Sequence, residues 1–105
     1  MNSIEELKQE EQVLRLVTNE KSRKILTHLA KNRMSNKAIA SSDLKNEIDA
    51  TYSHTINRVK ELNRNGLVRF TDKVGRKKPV ELTSDGVILA EAVMKLENTV
   101  KEVLN

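Results

Sequence analysis

The chain has 105 residues, a formal net charge of +4, no cysteine and two aromatic residues, Tyr52 and Phe70. This length suits one domain with a modest core. The lack of cysteine excludes disulfides and thiolate metal sites, and two aromatic rings are too few for a base-stacking platform. The acidic N-terminus is unlike a signal peptide, and no apolar run approaches the roughly 20 residues of a membrane span. We therefore expect a cytoplasmic protein.

The charge is unevenly distributed along the chain. Residues 51–80 carry eight Lys and Arg against two acids, a net charge of +6. Residues 1–17 and 84–105 each carry two bases against four acids, a net charge of −2. A basic centre between acidic ends indicates one surface that faces a polyanion and separate segments with another task.

Two helices are predicted at the start of the chain. The first runs from Ser3 to about Val17, with apolar residues at helical spacing and a capping box of Ser3 and Glu6. The second runs from about Glu20 to Lys31, with Asn19 as its N-cap. A loop follows, and residues 38–40 are long enough only for a very short strand.

A short helix, a turn and a longer helix come next. Ser41 or Ser42 is expected to cap the short helix, and Asp49-Ala50 forms the turn. Thr51 is expected to cap the longer helix, which reaches about Asn65. Gly66 follows it, and we expect this glycine to end the helix in the left-handed conformation.

A hairpin and a final helix complete the chain. Residues 67–71 and 79–83 alternate like strands, and residues 74–78 make a basic turn between them. Thr83 or Ser84 opens the last helix, which reaches the C-terminus. A short helix, a turn and a longer helix make a helix-turn-helix, and a hairpin directly after it makes a wing.

Local motifs in this region resemble those of known regulators. They are Ala50-Thr51-Tyr52-Ser53-His54-Thr55, Val59-Lys60-Glu61-Leu62, Gly66-Leu67-Val68, Gly75-Arg76 and Leu82-Thr83-Ser84-Asp85-Gly86. Through them, about residues 19–90 resemble the winged-helix regulators of the MarR and ArsR type and small archaeal proteins of the same build. The resemblance implies a helix after the turn that enters the major groove and a wing that touches the flanking backbone. The expected fold is mostly α with a small β-hairpin wing.

The helix after the turn has one face suited to the core and one suited to DNA. At ~100° per residue, the residues within about 60° of Val59 are Tyr52, Thr55, Ile56 and Leu62. The opposite side carries Ser53, His54, Asn57, Glu61 and Arg64. A groove-reading helix offers short hydrogen-bonding side chains in its N-terminal half. The layout therefore predicts base reading by Ser53, His54 and Asn57, although a solvated face would look similar and Glu61 would repel phosphate.

The basic hairpin turn predicts contacts with the DNA backbone or the minor groove. Lys73, Arg76, Lys77 and Lys78 cluster around Gly75, and each neutralised phosphate would make binding more sensitive to salt. The alternative is a merely solvated turn. Further backbone contacts are expected from the helix-turn-helix: Ser42, Thr51, Arg58, Lys60 and Arg64.

The terminal helices predict a dimer. The last helix places apolar residues at spacings of four and three, which is a heptad seam. This seam needs a partner, which is the N-terminal helix of the same chain or a second subunit. The expected interface residues are Leu7, Leu14, Leu89, Val93, Leu96, Val100 and Val103. The chain then divides into an N-terminal helix that supports the dimer (1–18), a winged helix-turn-helix (19–83) and a C-terminal dimerisation helix (84–105).

Enzyme chemistry finds no support in the sequence. There is no Gly-rich phosphate loop, and His28 and His54 lack metal-ligand spacing. We expect no catalytic site, no metal, no cofactor and no small-molecule ligand. The expected partners are double-stranded DNA and a second copy of the chain, bound as a nucleoid-associated transcriptional regulator, in particular a repressor. Two alternatives stay open: an architectural or segregation protein that coats DNA with low sequence specificity, and a winged-helix protein-interaction module.

Overall fold

The computed structural model describes residues 4–35, 37–73 and 75–105. Ser3 of the predicted capping box and Val74 of the basic turn lie outside the described residues. The elements, in chain order, are α1 (Ile4–Thr18), α2 (Glu20–Lys31), α3 (Ser41–Glu47), α4 (Tyr52–Arg64), β1 (Val68–Phe70), β2 (Val80–Leu82) and α5 (Ser84–Leu104). None of the helices in these ranges combines the length and apolar character that crossing a membrane requires. The predicted class, mostly helical with one small hairpin, is confirmed.

Side-chain caps begin α2 and α4, the second of which is the longer helix of the predicted helix-turn-helix. Asn19 accepts a hydrogen bond from the Ser22 N–H at 3.0 Å, and Thr51 accepts one from the His54 N–H at 3.2 Å. Both caps agree with the sequence prediction. Each accepts from an N–H group that has no partner within its own helix.

The predicted cap of α3 was wrong. The N-cap is Ala40, not Ser41 or Ser42. The methyl side chain of Ala40 accepts no hydrogen bond. Instead the carboxylate of Asp43 accepts from the Ala40 N–H at 2.9 Å, which is the second half of a capping box.

Lys21 of α2 stabilises the turn of the helix-turn-helix through hydrogen bonds. Asp49 lies in the left-handed region with φ 51°. The Lys21 ammonium donates to the carbonyls of Ile48 and Asp49 at 2.9 and 2.8 Å. A cation at the end of α3 satisfies carbonyls that have no helical partner and favours the helix dipole. The angle between α3 and α4 is therefore supported by a residue outside both helices.

The core lies between α2, α3, α4 and the hairpin, and α5 covers it. Its largest fully buried apolar residues are Ile25, Leu26, Leu44, Ile48, Val59, Leu62 and Val68. Thr55, Val59 and Leu62 form the buried face of α4 as predicted. Tyr52 does not join this face, since half of its surface is exposed. It is the first residue of α4 and therefore lies at the edge of the core.

The hairpin is antiparallel, with Phe70 opposite Val80 and Val68 opposite Leu82. Its strands are shorter than predicted. The expected short strand at 38–40 is reduced to a bridge between Ala40 and Pro79, beside which the Val80 N–H donates to the Ile39 carbonyl at 2.7 Å. These backbone bonds fix the turn end of β2 to the segment that leads into α3.

Candidate nucleic-acid interface

The polar face of α4 is exposed where the sequence predicted base reading. Ser53, His54 and Asn57 all lie on the surface, because the opposite face of the helix packs on the core. Lys60 and Arg64 continue the exposed surface toward the C-terminal end. The helix therefore offers hydroxyl, imidazole and amide groups at its N-terminal half and cations beyond them. Such groups match the donor and acceptor pattern of base edges and the charge of phosphates.

Arg58 is placed differently from the other basic residues of α4. It is half-buried and lies 3.6 Å from the carboxylate of Glu61. Both side chains line a cleft of about 550 Å³ together with Gln12 and Arg15 of α1, and the more exposed Arg64 also borders this cleft. The structure therefore turns Arg58 toward the N-terminal helix and pairs it with Glu61. It does not bring this guanidinium together with the exposed polar face.

Two exposed hydroxyl residues stand at the beginnings of α3 and α4. Ser42 is exposed in the first turn of α3, and Thr51 is exposed at the start of α4. The Thr51 hydroxyl oxygen already accepts the capping bond from the His54 N–H. Its proton can still be donated to an acceptor on DNA. Both positions suit hydrogen bonds to phosphate oxygens.

The wing carries exposed bases on a sharp turn. Gly75 adopts φ 64°, a conformation that costs other residues strain. Lys73, Arg76, Lys77 and Lys78 are all exposed. The wing is therefore a cationic projection beside the helix-turn-helix.

The wing bases differ in their neighbours within the protein. Lys77 lies 3.1 Å from both carboxylate oxygens of Asp43. The Lys78 ammonium lies 5.1 Å from the centroid of the Phe70 ring, within cation–π range. Asp43 was not among the residues predicted from the sequence, although an acid at the third position of a helix is a known capping signal.

The predicted dimer seam divides into a buried part and an exposed part. Val93 is buried within its own chain and Leu89 packs against the core, because the first half of α5 lies on α2. These two residues serve this chain's own core. Of the predicted interface residues, those that remain exposed are Leu7 and Leu14 on α1 and Leu96, Val100 and Val103 on α5.

Ion pairs join α5 to the rest of the chain. Arg23 of α2 lies 3.7 Å from Glu97, and Arg33, after α2, lies 3.8 Å from Glu91. Both pairs are partly exposed, so each contributes little to stability. They nevertheless mark two positions at which α5 faces its own chain.

Comparisons with known proteins identify the fold. The sequence matches no protein-family model, and it matches no curated protein. Among solved structures, it is similar to MepR, a transcription regulator of the Staphylococcus aureus multidrug efflux pump MepA. The TM-score is 0.72 and the identity 21%, over 96% of this chain and 76% of that one. MepR has also been solved in a complex with DNA and bound to ethidium bromide.

Two further structures resemble the chain over nearly their whole length. AF1382 from Archaeoglobus fulgidus matches with a TM-score of 0.72 and 16% identity, over 83% of this chain and 94% of that one. Reduced HlyU from Vibrio cholerae matches with a TM-score of 0.68 and 17% identity, over 88% of this chain and 92% of that one. All three proteins have the winged-helix fold. The chain described here has the winged-helix fold as well, as its helix-turn-helix and hairpin predicted.

Proposed function

We propose that the chain is a dimeric, sequence-specific double-stranded DNA-binding protein that regulates transcription, in particular by occupying promoters as a repressor. The observation that carries this proposal is the exposed polar face of α4 beside a cationic wing. MepR, which shares the fold, has been solved with DNA. Such a protein would work in the cytoplasm, associated with the nucleoid.

In this proposal α4 lies in the major groove. Asn57 has an amide that pairs with adenine through two hydrogen bonds, and Ser53 and His54 make single bonds to base edges. The three side chains share one exposed face in the N-terminal half of the helix, which is the half that approaches bases in helix-turn-helix proteins. Lys60 and Arg64 then meet phosphates.

The wing would add affinity with little sequence preference. Its cations lie on a projecting turn and would contact the backbone or the minor groove. Each phosphate that a cation neutralises releases counterions, so the affinity falls as salt rises. Base recognition would thus belong to α4. Binding to the phosphate backbone would belong to the wing and to the hydroxyl groups of Ser42 and Thr51.

The terminal helices would form the dimer. Leu96, Val100 and Val103 share a stripe on the open face of α5, and Leu7 and Leu14 are exposed on α1. A second copy of the chain is the partner that offers a matching apolar face at equal concentration. The proposed division of labour is residues 1–18 and 84–105 for the dimer and residues 19–83 for DNA.

Selection of bound sequences from a random pool of duplexes tests this function. We expect a preferred site with two half-sites about 34 Å apart. Asn57→Ala should then lower affinity by about 1–3 kcal/mol on that site and much less on a scrambled duplex. Arg64→Ala should lower both affinities together. Asn98→Ala, on the exposed surface of α5, is the matched control and should change neither.

Other outcomes identify the alternatives. The absence of a preferred site in the pool, or equal losses of affinity for Asn57→Ala on the selected and the scrambled duplex, would show an architectural protein that coats DNA. No binding to any duplex at low salt would instead show a protein-interaction module.

A further inference from the structure

One ion pair connects the wing to the first helix of the helix-turn-helix. Lys77 and Asp43 are 34 residues apart in sequence, and the Lys77 ammonium donates to both carboxylate oxygens of Asp43 at 3.1 Å. We propose that Asp43 is a positioning residue that holds the wing against α3 through its ion pair with Lys77, which we call the clamp. The Lys77 ammonium is engaged in this pair and does not contact a phosphate. The role in DNA binding rests on the proposed function, whereas the clamp itself does not.

Asp43 is a well-fixed anchor for the wing. Its carboxylate also accepts the capping bond from the Ala40 N–H at 2.9 Å, so one side chain begins α3 and holds Lys77. That capping bond, together with the Lys77 ammonium, holds the pKa of Asp43 below its ordinary value. The carboxylate is therefore charged at neutral pH and available to the ammonium.

The clamp adds to the backbone hydrogen bonds that attach the hairpin to the start of α3. The hairpin is already fixed at the turn end of β2, where the Val80 N–H donates to the Ile39 carbonyl and Ala40 bridges to Pro79. Lys77 lies further toward the tip of the wing than these bonds. The side-chain pair therefore extends the contact with the start of α3 beyond the reach of the backbone.

Other charges near the pair do not replace it. Lys37 acts on Asp43 through space, but the hydrogen bonds to the carboxylate come from Ala40 and Lys77. The pair is partly exposed, with 44% of the Lys77 side chain and 35% of the Asp43 side chain accessible. Such a pair contributes little to global stability. Its effect should instead be local, as a wing that is better ordered with the pair than without it.

Amide hydrogen exchange in the free protein tests the clamp. The reporters are the Thr71 and Val80 amides, which donate to the Pro79 and Ile39 carbonyls. Asp43→Asn keeps an acceptor for the Ala40 N–H and removes the charge, and Lys77→Gln removes the ammonium. We expect each variant to exchange several-fold faster at the reporters, and the double variant no faster than either. Arg76→Gln, one residue away, should leave exchange unchanged.

Two exchange results would overturn the clamp. One is unchanged exchange in Lys77→Gln, which leaves the cap of α3 intact. The other is rates in the double variant that equal the product of the two single effects, because independent roles multiply.

The salt dependence of DNA binding tests the assignment of Lys77. The slope of log affinity against log salt becomes shallower by about 0.9 for each phosphate that the protein no longer neutralises. Arg76→Gln should flatten the slope by about that amount, and Lys77→Gln should lower affinity several-fold with the slope unchanged. A flatter slope for Lys77→Gln would make Lys77 a phosphate-binding residue and overturn the assignment. If the protein binds no DNA, the proposed function fails while the exchange measurement still decides the clamp.

Discussion

The Thr83 hydroxyl donates a 2.6 Å hydrogen bond to the Gly66 carbonyl. The same oxygen accepts from the Gly86 N–H at 3.1 Å, and the Thr83 N–H donates to the Leu67 carbonyl at 3.1 Å. One residue thus joins the turn after α4, the end of the hairpin and the beginning of α5. The wing and the C-terminal helix are oriented relative to α4 by this junction.

Thr83→Val should destabilise the fold. Valine keeps the shape of the side chain but loses both the cap of α5 and the bond to Gly66, which together should cost about 1–2 kcal/mol. Urea unfolding measures the change. Thr99→Val is the matched control, because the exposed Thr99 hydroxyl donates to the Lys95 carbonyl within its own helix. Equal destabilisation by the two variants would contradict the role given to Thr83.

Gly86→Ala should also destabilise the fold, although alanine is the better helix former. A Cβ at position 86 would lie 1.9 Å from the Leu67 carbonyl oxygen, so α5 must move away from the start of β1. Overpacking of this kind costs about 1–3 kcal/mol. Thermal unfolding measures it, with Ser84→Ala, at an exposed position of the same turn, as control. An unchanged melting temperature would show that α5 is not held this closely.

Leu96→Asp should dissociate the dimer without unfolding the chain. Leu96 is 62% exposed in the single chain, so its replacement leaves the core intact, whereas a charge inside the proposed seam must be desolvated. Sedimentation at micromolar concentration should show a dimer for the wild type and a monomer for the variant. Asn98→Asp adds the same charge at another exposed position of α5 and should remain dimeric. A wild-type monomer would refute the proposed assembly.

Replacing Arg76, Lys77 and Lys78 together by alanine should weaken binding to all duplexes by similar factors. Without Arg76 and Lys78 the wing neutralises fewer phosphates, and phosphates carry no sequence information. Titrations of two unrelated duplexes at several salt concentrations measure the effect, and the salt slope should flatten. Replacing Lys95 and Lys101 on α5 by alanine is the control. Unchanged affinity and slope in the wing variant would make the wing a solvated turn.

The contribution of Asp43 to stability should depend on pH. Its pKa is lowered in the folded state, first by the Ala40 N–H and then by Lys77. A lowered folded-state pKa stabilises the fold above the unfolded value of about 3.9, and this stabilisation is lost as the pH falls through the folded pKa. Asp43→Asn should therefore be less stable than the wild type at pH 7, and the difference should vanish in acid. Urea titrations at the two pH values measure it, and a constant difference would contradict the ionic role.

The sequence predicted most of the local structure. Asn19 and Thr51 cap their helices, and Gly66 has the positive φ that its position after α4 required. These features depend on neighbours within a few residues, so propensity and periodicity reveal them. The polar face of α4 followed from the same periodicity, since it lies opposite the buried Val59.

The tertiary structure decided what periodicity could not. Tyr52 and Val93 both fit an apolar stripe, but Tyr52 lies past the edge of the core and Val93 lies against α2. A repeat gives the direction of a side chain and not the length over which a neighbouring element covers it. The pairing of Lys77 with Asp43 was likewise invisible, because its members are 34 residues apart. Only the folding of the hairpin back onto the start of α3 brings them together.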